Sequence, residues 1–171
     1  MPNAFNLDDI AIRTELRPGD IGYVTYLHGR LYKEEYDYGI AFEAYVAFGL
    51  YEFYREYDPV RDRVWVAEYD NRIVGFLLLM HREENVAQLR YFILEKAYRG
   101  IGLGRRLMEL FMGHFREAGY TGAYLWTTHE LAAAASLYKR HGFVLVEEKE
   151  SYAFGKPLYE QKYEWDQVVG K

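Results

Sequence analysis

The chain has 171 residues, half of them hydrophobic and 27% charged, which fits one globular domain with a real core and excludes a disordered segment. A formal net charge of −5 argues against a general nucleic-acid binder, which favours a basic surface. There is no cysteine, so disulfides, thiolate metal sites and a cysteine nucleophile are all excluded. The N-terminus shows no basic segment followed by an apolar run, and the longest apolar run, Ile73 to Met80, is too short to span a bilayer. The expectation is a soluble cytoplasmic protein with no membrane or nucleic-acid partner.

In chain order, residues 1–9 read as a flexible tail and 10–171 as a single domain. Ile10, Ile12, Thr14 and Leu16 alternate with polar residues and predict a first strand. Pro18-Gly19-Asp20 is a turn whose aspartate can cap a helix running to about Tyr32, and the polar stretch Lys33 to Gly39 breaks it. A second helix starts near Ile40, with Phe42, Val46, Leu50, Phe53 and Tyr57 on its apolar face, and ends at Asp58-Pro59. Arg63–Glu68 and Ile73–His81 predict a hairpin across Asp70-Asn71. After the turn Glu83-Glu84-Asn85, the run from Ala87 to Leu94 reads as a strand covered on both faces.

A glycine-rich turn follows, with Gly100, Gly102 and Gly104 flanked by Arg99, Arg105 and Arg106. It enters a helix with Leu103, Leu107, Leu110 and Phe111 on one face, which stops at Gly119. Backbone N–H groups at the positive end of such a helix, with arginines beside them, suit a phosphate or pyrophosphate. Ala123–Thr127 is another buried strand. Leu131 to His141 is a short alanine-rich helix, with Thr127 and Glu130 at capping-box spacing before it. Phe143–Glu148 and Leu158–Trp165 are the last strands, joined by a loop around Gly155-Lys156-Pro157 long enough to act as a flap. The order implies an α/β (α+β mixed) protein, with a central mixed sheet and helices on both faces.

Two familiar glycine motifs fail here. A dinucleotide fingerprint starting at Gly100 needs glycine where Arg105 stands, and the nucleoside triphosphatase loop needs a Gly-Lys-Ser/Thr that is absent. Arg99-Gly100-Ile101-Gly102-Leu103-Gly104 instead follows the pattern R/Q-x-x-G-x-G/A. Together with Ala134-x-x-Leu137-Tyr138-x-x-x-Gly142-Phe143 downstream, it resembles the GNAT superfamily of acyl-coenzyme A-dependent N-acetyltransferases. The stretch LWTTHELAAAASLYKRHGF is also similar to acetyltransferase domains fused behind MarR-type regulators.

The resemblance implies a mostly antiparallel sheet of about seven strands flanked by about four helices, with acetyl-CoA as cosubstrate. It implies that the backbone of Arg99, Gly100, Ile101, Gly102, Leu103 and Gly104 holds the pyrophosphate, with Arg99 and Arg105 as side-chain partners. Phe92, Ile93 and Leu94 would offer main-chain groups to the pantetheine arm, much as a sheet edge takes up an extended peptide. In the family a bulge splays this strand from the next. Tyr138 would be the general acid toward the departing thiolate, since a phenol of ordinary pKa ~10 is protonated at neutral pH. Ala134, a turn earlier on the same helical face, would let the cofactor approach closely. Leu131 stands where the family often has asparagine, and Gln88 near where it often has a catalytic glutamate.

The general base is therefore open among Glu83, Glu84, His81, Glu43 and a water chain from Gln88. The histidines lack metal-ligand spacing, and no metal is expected. The acceptor is expected to be an amine of a small molecule, amino acid or protein. Nine tyrosines between Tyr23 and Tyr57, and seven acidic residues against Arg55 alone between Glu34 and Asp58, suggest that it is cationic. A non-catalytic acyl-CoA-binding module remains the alternative to an enzyme. The final strands are free to pair across a two-fold axis in a homodimer.

Overall fold

A computed structural model of the protein describes residues 4–165 and 167. Its elements are β1 (Ala11–Arg13), α1 (Asp20–Tyr36), α2 (Ile40–Arg55), β2 (Arg63–Tyr69), β3 (Arg72–Arg82), β4 (Val86–Leu94), α3 (Leu103–Glu117), β5 (Gly122–Thr128), α4 (Ala132–Arg140), β6 (Phe143–Ser151) and β7 (Leu158–Trp165). The seven strands form one sheet in the order β1-β2-β3-β4-β5-β7-β6. All neighbours are antiparallel except β4 and β5. This is the mixed, mostly antiparallel sheet with four helices that the sequence implied.

The sheet separates two cores. On one face Leu103, Leu107, Phe111 and Phe115 of α3 pack with Leu77, Leu79, Leu125 and Phe143. On the other, Val24, Leu27 and Leu31 of α1 and Val46, Leu50 and Phe53 of α2 pack with Phe76, Leu78 and Ile93. Eight successive residues of β3, Ile73 to Met80, are buried because helices cover both sides. Asp70 and Asn71 both have positive φ, the backbone demanded by the tight turn between β2 and β3.

Local details depart from expectation. α1 runs through Lys33 to Tyr36, a full turn beyond Tyr32, because Arg30, Lys96 and Arg99 neutralise Glu34 and Glu35. Asp20 is the first helical residue rather than the cap: its carboxylate accepts from the Arg17 backbone N–H (2.6 Å) and pairs with Arg13 (2.7 Å). The Thr127–Glu130 capping box does not form; Leu131 occupies the cap position, and Glu130 pairs with Lys156 instead. Residues expected as a tail pack in part: Phe5 stacks on Tyr98 at 4.3 Å between centroids, and Leu7 covers Gly102.

Candidate functional site

The geometry of the site starts with an irregularity in β4. Phe76 pairs with Ile93 but Leu78 pairs with Arg90, so Tyr91 and Phe92 oppose Leu77 alone. Tyr91 absorbs the extra residue at φ 57, a left-handed conformation that a bulky residue adopts only when its surroundings impose it. The bulge bends β4 away from β5. Their parallel pairing covers Val86↔Gly122, Ala87↔Ala123 and Gln88↔Tyr124, and ends there. Beyond Gln88 the two strands diverge, and a groove opens between them.

Two cavities occupy this groove. The outer one, about 240 Å³, is lined by Phe92, Ile93 and Leu94 of β4, Arg99 and Gly104 of the glycine turn, Ala133, Ala134 and Leu137 of α4, and Leu31, Glu35 and Tyr36 of α1. The inner one, about 110 Å³, is lined by His28, Tyr38, Phe42, Tyr45, Gln88, Arg90, Tyr91, Trp126, Thr127, Thr128, Tyr138, Phe154 and Glu160, among others. Tyr32, Phe92 and Leu131 line both and form the passage between them.

The outer cavity ends at the glycine turn. Gly100 and Gly102 have φ 78 and 92, conformations costly for other residues, and Gly102 caps α3. The first bond at that end joins the Arg106 N–H to the Gly102 carbonyl, so the preceding N–H groups have no partner within the helix. A Cβ on Gly104 would sit 3.4 Å from both Leu94 and Leu137, so glycine here lets the helix start lie close to β4 and α4. Arg99 folds back: its guanidinium donates to the Leu94 carbonyl at 3.0 and 3.2 Å and to Glu35 at 2.7 Å. Arg105 is exposed and faces Glu109 one turn on. The Ile101 and Leu103 side chains pack into the core below the turn.

Tyr138 is buried at the inner end, 6.2 Å from Phe92 and 6.3 Å from Tyr163 between ring centroids. Burial, with a smaller contribution from Tyr163, holds its phenol well above the ordinary value, so it carries its proton at neutral pH. His28 is fully buried. Loss of solvent pulls its pKa down to about 4, against the opposing effect of the Val24 carbonyl 2.8 Å from Nδ1. That carbonyl can only accept, so Nδ1 carries the proton and Nε2 is left as an acceptor.

The structure does not bring the candidate bases Glu83 and Glu84 to either cavity. They form the exposed turn between β3 and β4, at the end of β4 remote from the glycine turn. His81 is engaged elsewhere, with Nδ1 3.1 Å from the Tyr120 hydroxyl and Nε2 3.1 Å from Arg61. Glu43 lies against Gly29 between α1 and α2. Gln88 is in the inner cavity, its Oε1 accepting from Arg82 Nε (2.8 Å) and the Tyr124 hydroxyl (3.2 Å). Glu160 is the carboxylate on the inner wall, opposite Thr128 in the register of β5 and β7. Nothing in its local sequence marks Glu160; only the insertion of β7 beside β5 brings it to the site. Trp126 lines the cavity and Trp165 packs on Phe115, which separates two residues alike in sequence. Among the described residues, no cluster of His, Asp or Glu could hold a metal.

The loop between β6 and β7 is docked rather than open. Lys156 donates to the Tyr36 carbonyl and to Glu130, both at 2.8 Å, and the Gly39 N–H donates to the Phe154 carbonyl at 2.9 Å. Phe154 is buried against Tyr38 and Phe42, so the loop forms one wall of the inner cavity.

Comparison with known proteins agrees with this fold. The uncharacterized N-acetyltransferase YjgM of Escherichia coli K12 is 34% identical over 109 residues, 62% of this chain and 63% of that protein; the match thus leaves over a third of the relative's length uncovered. A GNAT family acetyltransferase from Staphylococcus aureus Mu50 superposes with a TM-score of 0.75 over 91% of this chain and 98% of its own, at 20% identity. A GNAT family acetyltransferase from Elizabethkingia anophelis, solved with acetyl-CoA bound, gives 0.64 over 93% and 99%, at 14% identity. The sequence pattern of the acetyltransferase (GNAT) family matches residues 29–143, about two-thirds of the chain, and the protein belongs to that family.

Proposed function

We propose that the protein is an acyl-CoA-dependent N-acetyltransferase, moving the acetyl group of acetyl-CoA to a primary amine of a small molecule, amino acid or protein. The observation that carries this is the splayed β4–β5 groove, which runs from unpaired helix N–H groups at the glycine turn to a protonated, buried Tyr138. The open edge of β4 beyond Gln88 offers main-chain groups to an extended pantetheine arm, and Ala133, Ala134 and Gly104 leave room for it. The N-terminus of α3 would receive the pyrophosphate.

In the reaction, the amine nitrogen attacks the thioester carbon, an N–C bond forms and the C–S bond breaks. Tyr138 gives its phenolic proton to the departing sulfur. The amine must lose a proton, and Glu160, the carboxylate lining the inner wall, would take it directly or through water. A backbone N–H near Leu94 would stabilise the developing oxyanion. The small inner cavity favours a compact acceptor or a single side chain over a large surface.

The test is thiol release from acetyl-CoA across an amine panel, with Tyr138→Phe beside the wild type. The expected result is turnover in the wild type, about a hundredfold lower kcat in the variant, and unchanged calorimetric affinity for coenzyme A. Coenzyme A binding without thiol release for any amine would instead assign a sensing module, the reading that Gln88 in place of a carboxylate on β4 favours.

A further inference from the structure

The acidic surface expected to attract a cationic acceptor is largely neutralised locally. Glu34 and Glu35 pair with Arg30, Lys96 and Arg99, Asp37 with Lys33, and Glu56 with Arg55. Behind that surface, the inner cavity presents a cation. Arg90 lies on its β4 wall, with its guanidinium 4.7 Å from the Tyr91 ring centroid and 5.6 Å from that of Tyr45. Its Nη2 donates to the Tyr45 hydroxyl at 3.1 Å. Among the described residues no carboxylate comes within ion-pair distance of it. Two aromatic faces and one hydroxyl thus orient a guanidinium whose remaining N–H groups have no anionic partner. A planar fork held in that way suits a carboxylate, which can accept two parallel bonds from it.

A second donor lies beside it. Gln88, two residues earlier on the same strand face, also lines the cavity. Arg82 can only donate, so its 2.8 Å contact fixes the Gln88 oxygen toward Arg82. The amide NH2 then points the other way, as a donor. A glutamate at this position would carry a charge opposed to an anion; glutamine supplies hydrogen bonds for one. The opposite wall carries Glu160, which has no ion-pair partner among the described residues, and the space between is aromatic.

We infer that the acceptor is a small amino acid in the broad sense: an amine that also carries a carboxylate, the carboxylate held by Arg90 and the Gln88 amide, with an aromatic or apolar body in the tyrosine-lined cavity. This rests on the acetyltransferase reading for the fate of the amine, whereas the carboxylate site stands on Arg90 and Gln88 themselves.

Matched pairs differing only in the carboxylate provide the test: phenylalanine against 2-phenylethylamine, and leucine against 3-methylbutylamine, with acetyl-CoA saturating. The expected kcat/KM favours the amino acid at least tenfold. Arg90→Gln should raise KM for the amino acid about tenfold to a hundredfold, the loss of a charge-assisted contact, and should raise KM for the matched amine far less. Tyr45→Phe, which removes only the orienting hydroxyl, should fall between wild type and Arg90→Gln. Preference for the decarboxylated partner, or equal effects of Arg90→Gln on both partners, would overturn the inference. If no amine turns over, calorimetric titration of phenylalanine and leucine into the coenzyme A-loaded protein still decides. Binding lost in Arg90→Gln upholds the carboxylate site and places the failure with the catalytic reading. No binding to the wild type sinks the site itself.

Discussion

The glycine turn takes its groups from consecutive residues, Arg99 to Gly104, whereas the inner cavity gathers His28, Gln88, Trp126, Tyr138 and Glu160 from five different elements. The turn works through backbone. Positive φ at Gly100 and Gly102 and the open N–H groups of α3 make the site, and side chains there matter by being absent. The cavity works through side chains, and its polarity comes from which groups the fold leaves unpaired. Hence one end of the groove is set by spacing along the chain and is the same for any acceptor. The other end depends on packing between distant segments, where specificity can change without disturbing the first.

The largest test of that division comes from His28. Its folded pKa of about 4 lies below the ordinary value of 6.5, because the charged ring would be buried among Tyr32, Phe42 and Tyr91. The unfolded chain then binds the proton more readily, so the contribution to stability is complete above pH 6.5 and is lost as pH falls through 4. The expected loss is about 3 kcal/mol across that window. Urea unfolding midpoints measured from pH 7 to pH 4 check it, and His28→Leu should flatten the curve. The glycine turn carries no group titrating in that range, so an equal slope in the variant would place the acid sensitivity outside the cavity wall.

Gly49 gives a smaller, more local probe. A Cβ there would stand 1.8 Å from the Tyr91 hydroxyl and 3.0 Å from Arg90 Nη2, and the rigid tyrosine ring sits at the strained bulge. Gly49→Ala should therefore cost about 2 kcal/mol by overpacking. It should impair amine turnover while leaving coenzyme A affinity within about twofold. Equal losses in both would show that the bulge couples the two ends. Gly102→Ala reverses the contrast with the smallest effect. There is ordinary space for a Cβ, 3.6 Å from Leu7, so only the left-handed backbone at φ 92 opposes the change, at about 1 kcal/mol. Thermal unfolding and calorimetry should show a slight stability loss and weaker coenzyme A binding, with KM for the amine unchanged.

Much of the cofactor side was legible in the sequence. The glycine spacing, the apolar strand before it and the amphipathic helix after it are local patterns; β4, α3 and β7 appear within a residue or two of where periodicity put them, while β6 runs three residues past the expected Glu148, to Ser151. Helical spacing from Ala134 also put Tyr138 on the face of α4 that lines the groove. The acceptor side was not legible. Glu83 and Glu84 stood among the possible bases, but a strand carries its start far from its end, and they lie at the end of β4 outside both cavities. The loop between β6 and β7 was expected to act as a flap on its length alone, but it is docked. Its fixing points, Tyr36 and Glu130, lie far from it in sequence.

The sequence by itself determined the backbone of the glycine turn, because glycine conformations and helix ends are properties of neighbouring residues. Only the tertiary structure decided the chemistry of the cavity. Whether Glu34 and Glu35 face a ligand or a lysine, whether Gln88 presents its oxygen or its NH2, and whether Arg90 has a carboxylate beside it depend on partners that chain folding brings together. A charge or an amide acquires its role from what it is left to bind, and the chain order does not record that.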